Sequence, residues 1–137
     1  MTDTVLVYAD GGARGNPGPA AIGAVVFDSS TTPPARLATV SQRIGSATNN
    51  VAEYKAVIAG LEAAREFSPR AVHVRADSKL VIEQLAGRWK VKQPHLKPLH
   101  AHARALLDDY EEVTLQHVPR EQNTDADALV NAALDLP

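Results

Sequence analysis

Apolar and polar residues alternate, or form short apolar runs, over the first third of the chain. This pattern predicts three β-strands, over residues 4–10, 20–27 and 37–44. The segments between them, residues 11–19 and 29–34, are rich in glycine, proline, serine and threonine and predict turns. Because both connections are short, we expect the three strands to form an antiparallel meander.

From residue 50 onwards the apolar positions mostly follow the helical period. The predicted elements are helices over residues 50–67, 78–86, 95–110 and 124–134, and strands over residues 71–76 and 112–118. A meander followed by strand–helix crossovers predicts an α/β fold. We expect a five-stranded mixed sheet, with its first three strands antiparallel, flanked by helices.

Composition mainly excludes classes of protein. A length of 137 residues, with 45% hydrophobic and 22% charged residues, is typical of one globular domain, here residues 1–137. The absence of cysteine excludes disulfides, cysteine-ligated metals and a thiol nucleophile, and fits a cytoplasmic protein. No apolar run is long enough for a membrane span, so we expect no membrane partner. A net charge of -2 means that nucleic acid would need a local basic patch.

Four carboxylates lie close to the predicted ends or starts of elements. Asp10 ends the first predicted strand, Asp77 comes at the end of the fourth, and Glu53 and Asp127 lie near the starts of predicted helices. If the first and fourth strands are parallel neighbours, Asp10 and Asp77 emerge side by side. Converging carboxylates repel each other, and Mg²⁺ or Mn²⁺ relieves that repulsion through oxygen-only ligation. Two such ions can support phosphodiester hydrolysis.

Each acid alone also fits a structural role. Asp10 precedes a glycine and resembles a turn residue, and Asp77 resembles an ordinary helix start. Residues 50–53 and 124–127 both resemble capping boxes. The glycine-rich segment after the first strand lacks the spacing of a nucleotide-binding loop. The functional interpretation therefore depends on the four acids together.

The joint pattern resembles type 1 ribonuclease H over about residues 3–134. The motifs are DGGARGNPGP from Asp10, TNNVAE ending at Glu53, the pair Asp77 and Ser78, and REQNTDADAL, which contains Asp127. The resemblance implies the ribonuclease H-like fold. It also implies an endonuclease that hydrolyses the RNA strand of RNA–DNA hybrids and leaves 3′-hydroxyl and 5′-phosphate ends.

The resemblance further implies two Mg²⁺ or Mn²⁺ ions. Asp10 would bridge both ions, Glu53 and Asp77 would complete one site, and Asp127 would serve the other. It implies contacts with the hybrid, whose minor groove displays 2′-hydroxyls. The implied contact residues are Gly11, Gly12, Ala13, Gly15, Asn16, Thr48, Asn49, Asn50, Lys79 and Trp89. The family's basic residue two positions before Thr48 is Ser46 here, which predicts a weaker phosphate pocket.

A short basic stretch, residues 87–97, replaces the longer protrusion of many family members. It contains Arg88, Lys90, Lys92 and Lys97 around Trp89, a combination suited to phosphates and a base or sugar face. The alternative is that Trp89 anchors the core and the cations are simply solvated.

Two residues compete for the role beside the last acid. His117 has the spacing of a histidine that assists product release, whereas Arg120 matches an arginine of archaeal and actinobacterial members that lack the protrusion. The chain also resembles the N-terminal domain of actinobacterial fusions with a C-terminal phosphatase-like domain, so it is either a stand-alone enzyme or such a domain. We expect a monomer. The alternative functions are a non-catalytic hybrid-binding module and another two-metal nuclease of the same superfamily.

Overall fold

The computed structural model describes residues 2–136. The strands are β1 Thr4–Ala13, β2 Gly18–Asp28, β3 Ala35–Ala47, β4 Ala71–Ala76 and β5 Glu112–His117. The helices are α1 Asn49–Arg65, α2 Lys79–Leu85, α3 Lys97–Asp108 and α4 Thr124–Leu134. Short 3-10 turns, Pro94–Leu96 and Arg120–Gln122, lie before α3 and α4. The predicted order of strands and helices is confirmed.

One five-stranded sheet has the strand order β3-β2-β1-β4-β5. The first three strands pair antiparallel, and β1 with β4 and β4 with β5 pair parallel. This arrangement confirms the predicted mixed sheet, and it meets the condition under which Asp10 and Asp77 emerge side by side, since β1 and β4 are parallel neighbours. The last residue pair between β1 and β4 is Ala9 with Ala76, so Asp10 and Asp77 follow side by side where these two strands stop pairing, although Asp10 still pairs with Gly23 of β2.

The predicted turn over residues 11–19 is wrong at both ends. Residues 11–13 continue β1 and pair with residues 20–22 of β2, so only residues 14–17 connect the strands. Glycine is typical of turns, but Gly11 instead allows the backbones of β1 and α1 to approach each other closely. A Cβ atom at Gly11 would lie 2.2 Å from the carbonyl oxygen of Ala52 in α1, so no other residue fits without movement.

The sheet is covered on both faces. Helices α1 and α3 pack on one face over a large apolar cluster that includes Val5, Val7, Leu61, Val74 and Leu107. Helix α4 packs on the other face, over β2, β3 and β1, through a small cluster of Ala21, Val130 and Ala133. Within residues 2–136, no helix has both the length and the apolar character that crossing a membrane requires.

Candidate active site

Four acidic side chains meet at the edge of the sheet where β1 leaves β4. Asp10 follows the last residue of β1 that pairs with β4, and Asp77 follows β4 directly. Glu53 is the fifth residue of α1, and Asp127 is the fourth of α4. Asp10, Glu53 and Asp77 can each place one carboxylate oxygen within 4.8 Å of the other two. Asp127 lines the same cleft.

Two glycines allow the helices to bring their acids to the sheet. At Gly11 the backbone of α1 touches β1, which carries Glu53 into the cleft. At Gly23 a Cβ atom would lie 2.4 Å from the carbonyl oxygen of Ala126, so the backbone of α4 lies directly on β2. This contact brings Asp127 to the same cleft. Side chains larger than hydrogen at these two positions would push the helices away.

Among the structural alternatives for the acids, only the helix start at Asp77 and Ser78 is borne out, since Ser78 is the N-cap of α2. Thr48 and Ser78 cap α1 and α2, and their hydroxyls accept the backbone N–H groups of Val51 and Val81, each at 3.3 Å. The predicted capping boxes at residues 50–53 and 124–127 do not form, since Asn123 is the N-cap of α4 and makes no side-chain capping bond. Asp10 lies within β1 rather than in a turn.

Burial and mutual repulsion favour the protonated acids. Burial, followed by the charge of Asp77, raises the pKa of Asp10 to about 7. Burial, followed by the charges of Asp10 and Asp77, raises the pKa of Glu53 well above its ordinary value. The Oε2 atom of Glu53 is buried without a hydrogen-bond partner. The cleft therefore lacks positive charge where these two side chains meet.

Asp127 has a different environment from the other three acids. Its Oδ1 atom lies 3.5 Å from Nη2 of Arg120, and its Oδ2 atom lies 3.4 Å from Nδ2 of Asn131. The side chain of Arg120 is 78% exposed, which leaves it free to reorient. His117 is exposed at the end of β5, in register with Ala76, as the sequence predicts. The ion pair therefore places Arg120, rather than His117, beside the last acid.

The predicted hybrid contacts include a connected network beside the acids. The backbone N–H of Ala13 donates to Oδ1 of Asn49 at 2.9 Å, and the backbone N–H of Asn49 donates to Oδ1 of Asn16 at 3.0 Å. Because the Oδ1 atoms of Asn49 and Asn16 accept these bonds, the NH₂ groups of both side chains remain for other acceptors. The remaining predicted contacts of this region lie in β1, in the connection to β2 and at the start of α1: Gly11, Gly12, Gly15, Thr48 and Asn50.

Trp89 lies outside the core. Its side chain is 44% exposed, so the alternative that it anchors the core is wrong. Nζ of Lys79 lies 5.9 Å from the centre of the indole ring. Arg88, by contrast, is held by Glu83 at 2.6 Å, which removes it from the free cations of the predicted basic patch.

Two buried polar residues, Tyr54 and Gln84, do not stand out in the sequence pattern. Both residues lie in predicted helices and look like ordinary helical positions, yet the hydroxyl of Tyr54 donates to Oε1 of Gln84. The sequence signal that could have found this pair is Gln84 itself, because an amide on the buried face of a helix needs a hydrogen-bond partner.

The chain matches the family model described as reverse transcriptase-like over residues 8–133. Among curated proteins it is 51% identical over 133 residues to the bifunctional protein Rv2228c of Mycobacterium tuberculosis. That alignment covers 96% of this chain and 35% of the mycobacterial protein, so the chain spans about a third of that relative's length. It is 46% identical to ribonuclease HI of Halobacterium salinarum, covering 96% of this chain and 64% of that protein.

Solved structures agree closely with the backbone. The N-terminal RNase H domain of the same mycobacterial protein has a TM-score of 0.92 at 49% identity, covering 96% of this chain and 99% of that one. RNase H1 of Halobacterium salinarum has a TM-score of 0.90 at 45% identity, with coverage of 96% and 98%. LC11-RNase H1 in complex with an RNA/DNA hybrid has a TM-score of 0.88 at 43% identity, with coverage of 96% of each chain. With this agreement in sequence and backbone over nearly its whole length, the chain belongs to the type 1 ribonuclease H family.

Proposed function

We propose that this protein is a ribonuclease H that cuts the RNA strand of RNA–DNA hybrids internally, with two divalent cations, and leaves 3′-hydroxyl and 5′-phosphate ends. The observation that carries the proposal is the convergence of Asp10, Glu53 and Asp77 within 4.8 Å in a cleft that Asp127 also lines. The similarity to ribonuclease HI and to an RNase H1 bound to an RNA/DNA hybrid supports the substrate class.

The donor set fits Mg²⁺ or Mn²⁺. All four side chains offer carboxylate oxygens, the ligands that these hard cations prefer. The buried Oε2 atom of Glu53 lacks a partner, and the raised pKa values of Asp10 and Glu53 show that the cleft favours added positive charge. Asp10, Glu53 and Asp77 would hold one ion, and Asp10 with Asp127 the other. Bound there, the two ions would activate a water and stabilise the leaving oxygen.

The chain's own groups would position the hybrid. With their oxygens engaged, Asn16 and Asn49 present NH₂ donors to acceptors in the minor groove, where 2′-hydroxyls and base edges are exposed. The hydroxyl of Thr48 accepts a backbone bond as the N-cap and retains its own proton for a phosphate oxygen. Lys79 and Trp89 would contact the hybrid further along, through a charge and an aromatic face.

Arg120 is the better candidate for the role beside Asp127. Its guanidinium is within 3.5 Å of the carboxylate and stays charged at every accessible pH. A mobile cation at this place would stabilise negative charge near the scissile phosphate and assist departure of the product. His117 would contribute little, because it is exposed at the end of β5 while Arg120 makes the ion pair with Asp127.

A cleavage assay on matched duplexes tests the proposal. We expect a labelled RNA–DNA hybrid to be cut in Mg²⁺ or Mn²⁺ and not in EDTA, while double-stranded RNA and DNA of the same sequence stay intact. Asp77→Asn should bind the hybrid without cutting it, because the amide keeps the shape and removes a charge that holds metal. Asp109→Asn, an exposed change at the end of α3, is the matched control.

The alternatives predict different results in the same assay. A non-catalytic binding module would retain the hybrid without cutting it in either metal. Another two-metal nuclease would cut a different substrate, such as a four-way DNA junction, in preference to the hybrid. Near-normal cleavage by Asp77→Asn at saturating Mg²⁺ would refute the four-carboxylate site.

A further inference from the structure

Residues 88–93, named here the basic loop, connect α2 to the turn Pro94–Leu96 without helix or strand structure. They carry Arg88, Trp89, Lys90 and Lys92, and Trp89 and its two lysine neighbours reach solvent. A segment without regular backbone pairing keeps its conformation only through bonds to its neighbours. Those bonds therefore decide how the exposed cations and the indole ring are presented.

The start of the basic loop is tied to Glu83. The backbone carbonyl of Glu83 accepts the N–H groups of Arg88 at 3.0 Å and Trp89 at 3.2 Å. Its carboxylate accepts two bonds from the guanidinium of Arg88, at 2.6 and 2.9 Å. The ion pair is open to water on the Arg88 side, so it adds little rigidity.

The middle of the basic loop is tied to Gln84. Its Nε2 atom donates to the backbone oxygen of Lys90 at 3.2 Å. Gln84 is 5% exposed, so water does not replace this bond readily. Its backbone oxygen accepts a bond from Nε2 of His100 in α3, at 3.1 Å, which fixes the end of α2.

The orientation of the Gln84 amide is set from α1. The hydroxyl of Tyr54, a fully buried residue, donates to Oε1 of Gln84. A hydroxyl donor on the oxygen leaves the NH₂ group for the carbonyl of Lys90. A continuous chain of hydrogen bonds, the first of them buried, thus runs from the residue next to Glu53 to the basic loop.

We propose that Gln84 is a positioning residue for substrate binding, which holds the basic loop so that Trp89 and Lys90 meet the hybrid already ordered. The proposal rests on the proposed function, which assigns Trp89 to the nucleic acid, and it adds Lys90 as a neighbouring exposed cation. Without the Gln84 bond, the hybrid must order the loop on binding, and affinity falls by that cost. Turnover of the bound hybrid stays unchanged, because Gln84 contacts none of the four acids.

Two variants separate loop position from general stability. Gln84→Met keeps a similar volume and removes both amide bonds, but it leaves the hydroxyl of Tyr54 buried and unpaired. The double variant Tyr54→Phe/Gln84→Met also removes that hydroxyl, so it regains stability while the loop stays free. Gln93→Met is the control, because Gln93 is exposed on the same loop and makes no capping bond.

Trp89 is the only tryptophan of the chain, so its fluorescence reports on the loop without any cleavage. In both Gln84 variants we expect quenching by acrylamide to rise about twofold, and the Kd of a labelled hybrid in EDTA to rise about fivefold, the loss of one neutral hydrogen bond. With Mg²⁺, kcat should match the wild type. In a Trp89→Ala background, Gln84→Met should raise Kd by less than twofold, because the two residues act together.

Three results would overturn the proposal: unchanged quenching in both variants, increased quenching with unchanged Kd, or a double variant in which both Tm and Kd return to wild-type values. A wild-type protein that binds the hybrid but never cuts it would refute the proposed hydrolysis, while quenching and Kd of the Gln84 variants in EDTA would still decide the role of Gln84 in binding. A wild-type protein that does not bind the hybrid would refute both.

Discussion

Replacing Asp10 by asparagine should stabilise the metal-free protein at alkaline pH while abolishing cleavage. The folded protein raises the pKa of Asp10 to about 7, from 3.8, because the side chain is buried beside other acids. The folded state therefore keeps a proton that the unfolded chain releases above about pH 4. Stability falls as pH rises from about 4 to 7, and it stays low above that range.

The size of the expected stabilisation follows from the raised pKa of Asp10. About three pKa units at 1.36 kcal/mol each give a ceiling of about 4 kcal/mol above pH 8. Water reaches part of the cleft, so we expect about half of this, ~2 kcal/mol. The loss of charge at position 10 also relieves Glu53, whose pKa is raised by burial first and by Asp10 second. Asp10→Asn should therefore raise Tm by about 6–10 °C at pH 8 in EDTA.

Thermal unfolding followed by circular dichroism, in EDTA at pH 4.5 and pH 8, measures this effect. At pH 4.5 the difference between the two proteins should shrink to about 1 kcal/mol, or about 3–5 °C in Tm, because Asp10 stays protonated in the fold while the unfolded chain has already released most of that proton. Asp109→Asn, an exposed control, should change the free energy of unfolding by less than about 0.5 kcal/mol at either pH. Mg²⁺ should raise the Tm of the wild type more than that of Asp10→Asn. An Asp10→Asn protein no more stable than the wild type at pH 8, or equally stabilised at both pH values, would refute the reasoning.

Three further predictions concern the last acid, the helix that carries it and the substrate. Arg120→Ala should lower turnover at least about tenfold across pH 6–10 without changing Tm, whereas His117→Ala should leave turnover within about twofold; the reverse ranking in initial rates would give the role to His117. Gly23→Ala should lower Tm by about 5–10 °C and reduce cleavage, because its Cβ would overlap the carbonyl of Ala126 and push α4 outward; an unchanged melting curve would contradict this packing. A hybrid with 2′-deoxy sugars flanking the cut should show a markedly lower kcat/KM than a full hybrid, and equal values would contradict readout of 2′-hydroxyls.

The predicted elements and the mixed sheet could be derived from the sequence, because the apolar periods and short links leave few topologies, whereas the pairing of β1 with β4 entered only as a condition. The prediction failed at Gly11, where a turn signal and a close helix–strand approach look alike along the chain. The capping boxes failed for a related reason. Several residues with suitable side chains precede each helix, and only the packing of that helix decides which one becomes the N-cap.

Some features of the candidate site could likewise be predicted from the sequence, and others could not. The four acids are conspicuous because each lies at the end of a strand or near the start of a helix, positions that the sequence pattern locates. The anchoring of the basic loop by Gln84 is invisible in the sequence, because the partners of its side chain are a hydroxyl 30 positions away and a backbone oxygen. Neither the ion pair of Arg88 nor the exposure of Trp89 follows from composition, since both depend on how the loop turns after α2.

The docking of α4 on β2 has a consequence for biosynthesis. Asp127 reaches the cleft only after Gly23, more than a hundred positions earlier in the chain, is paired into the sheet and covered by the last helix. A ribosome-bound chain that ends before α4 therefore carries three acids and an uncovered β2. Such a nascent chain lacks Asp127 in the cleft until α4 has left the exit tunnel. Under the proposed function, cleavage would therefore begin only after α4 has docked on β2.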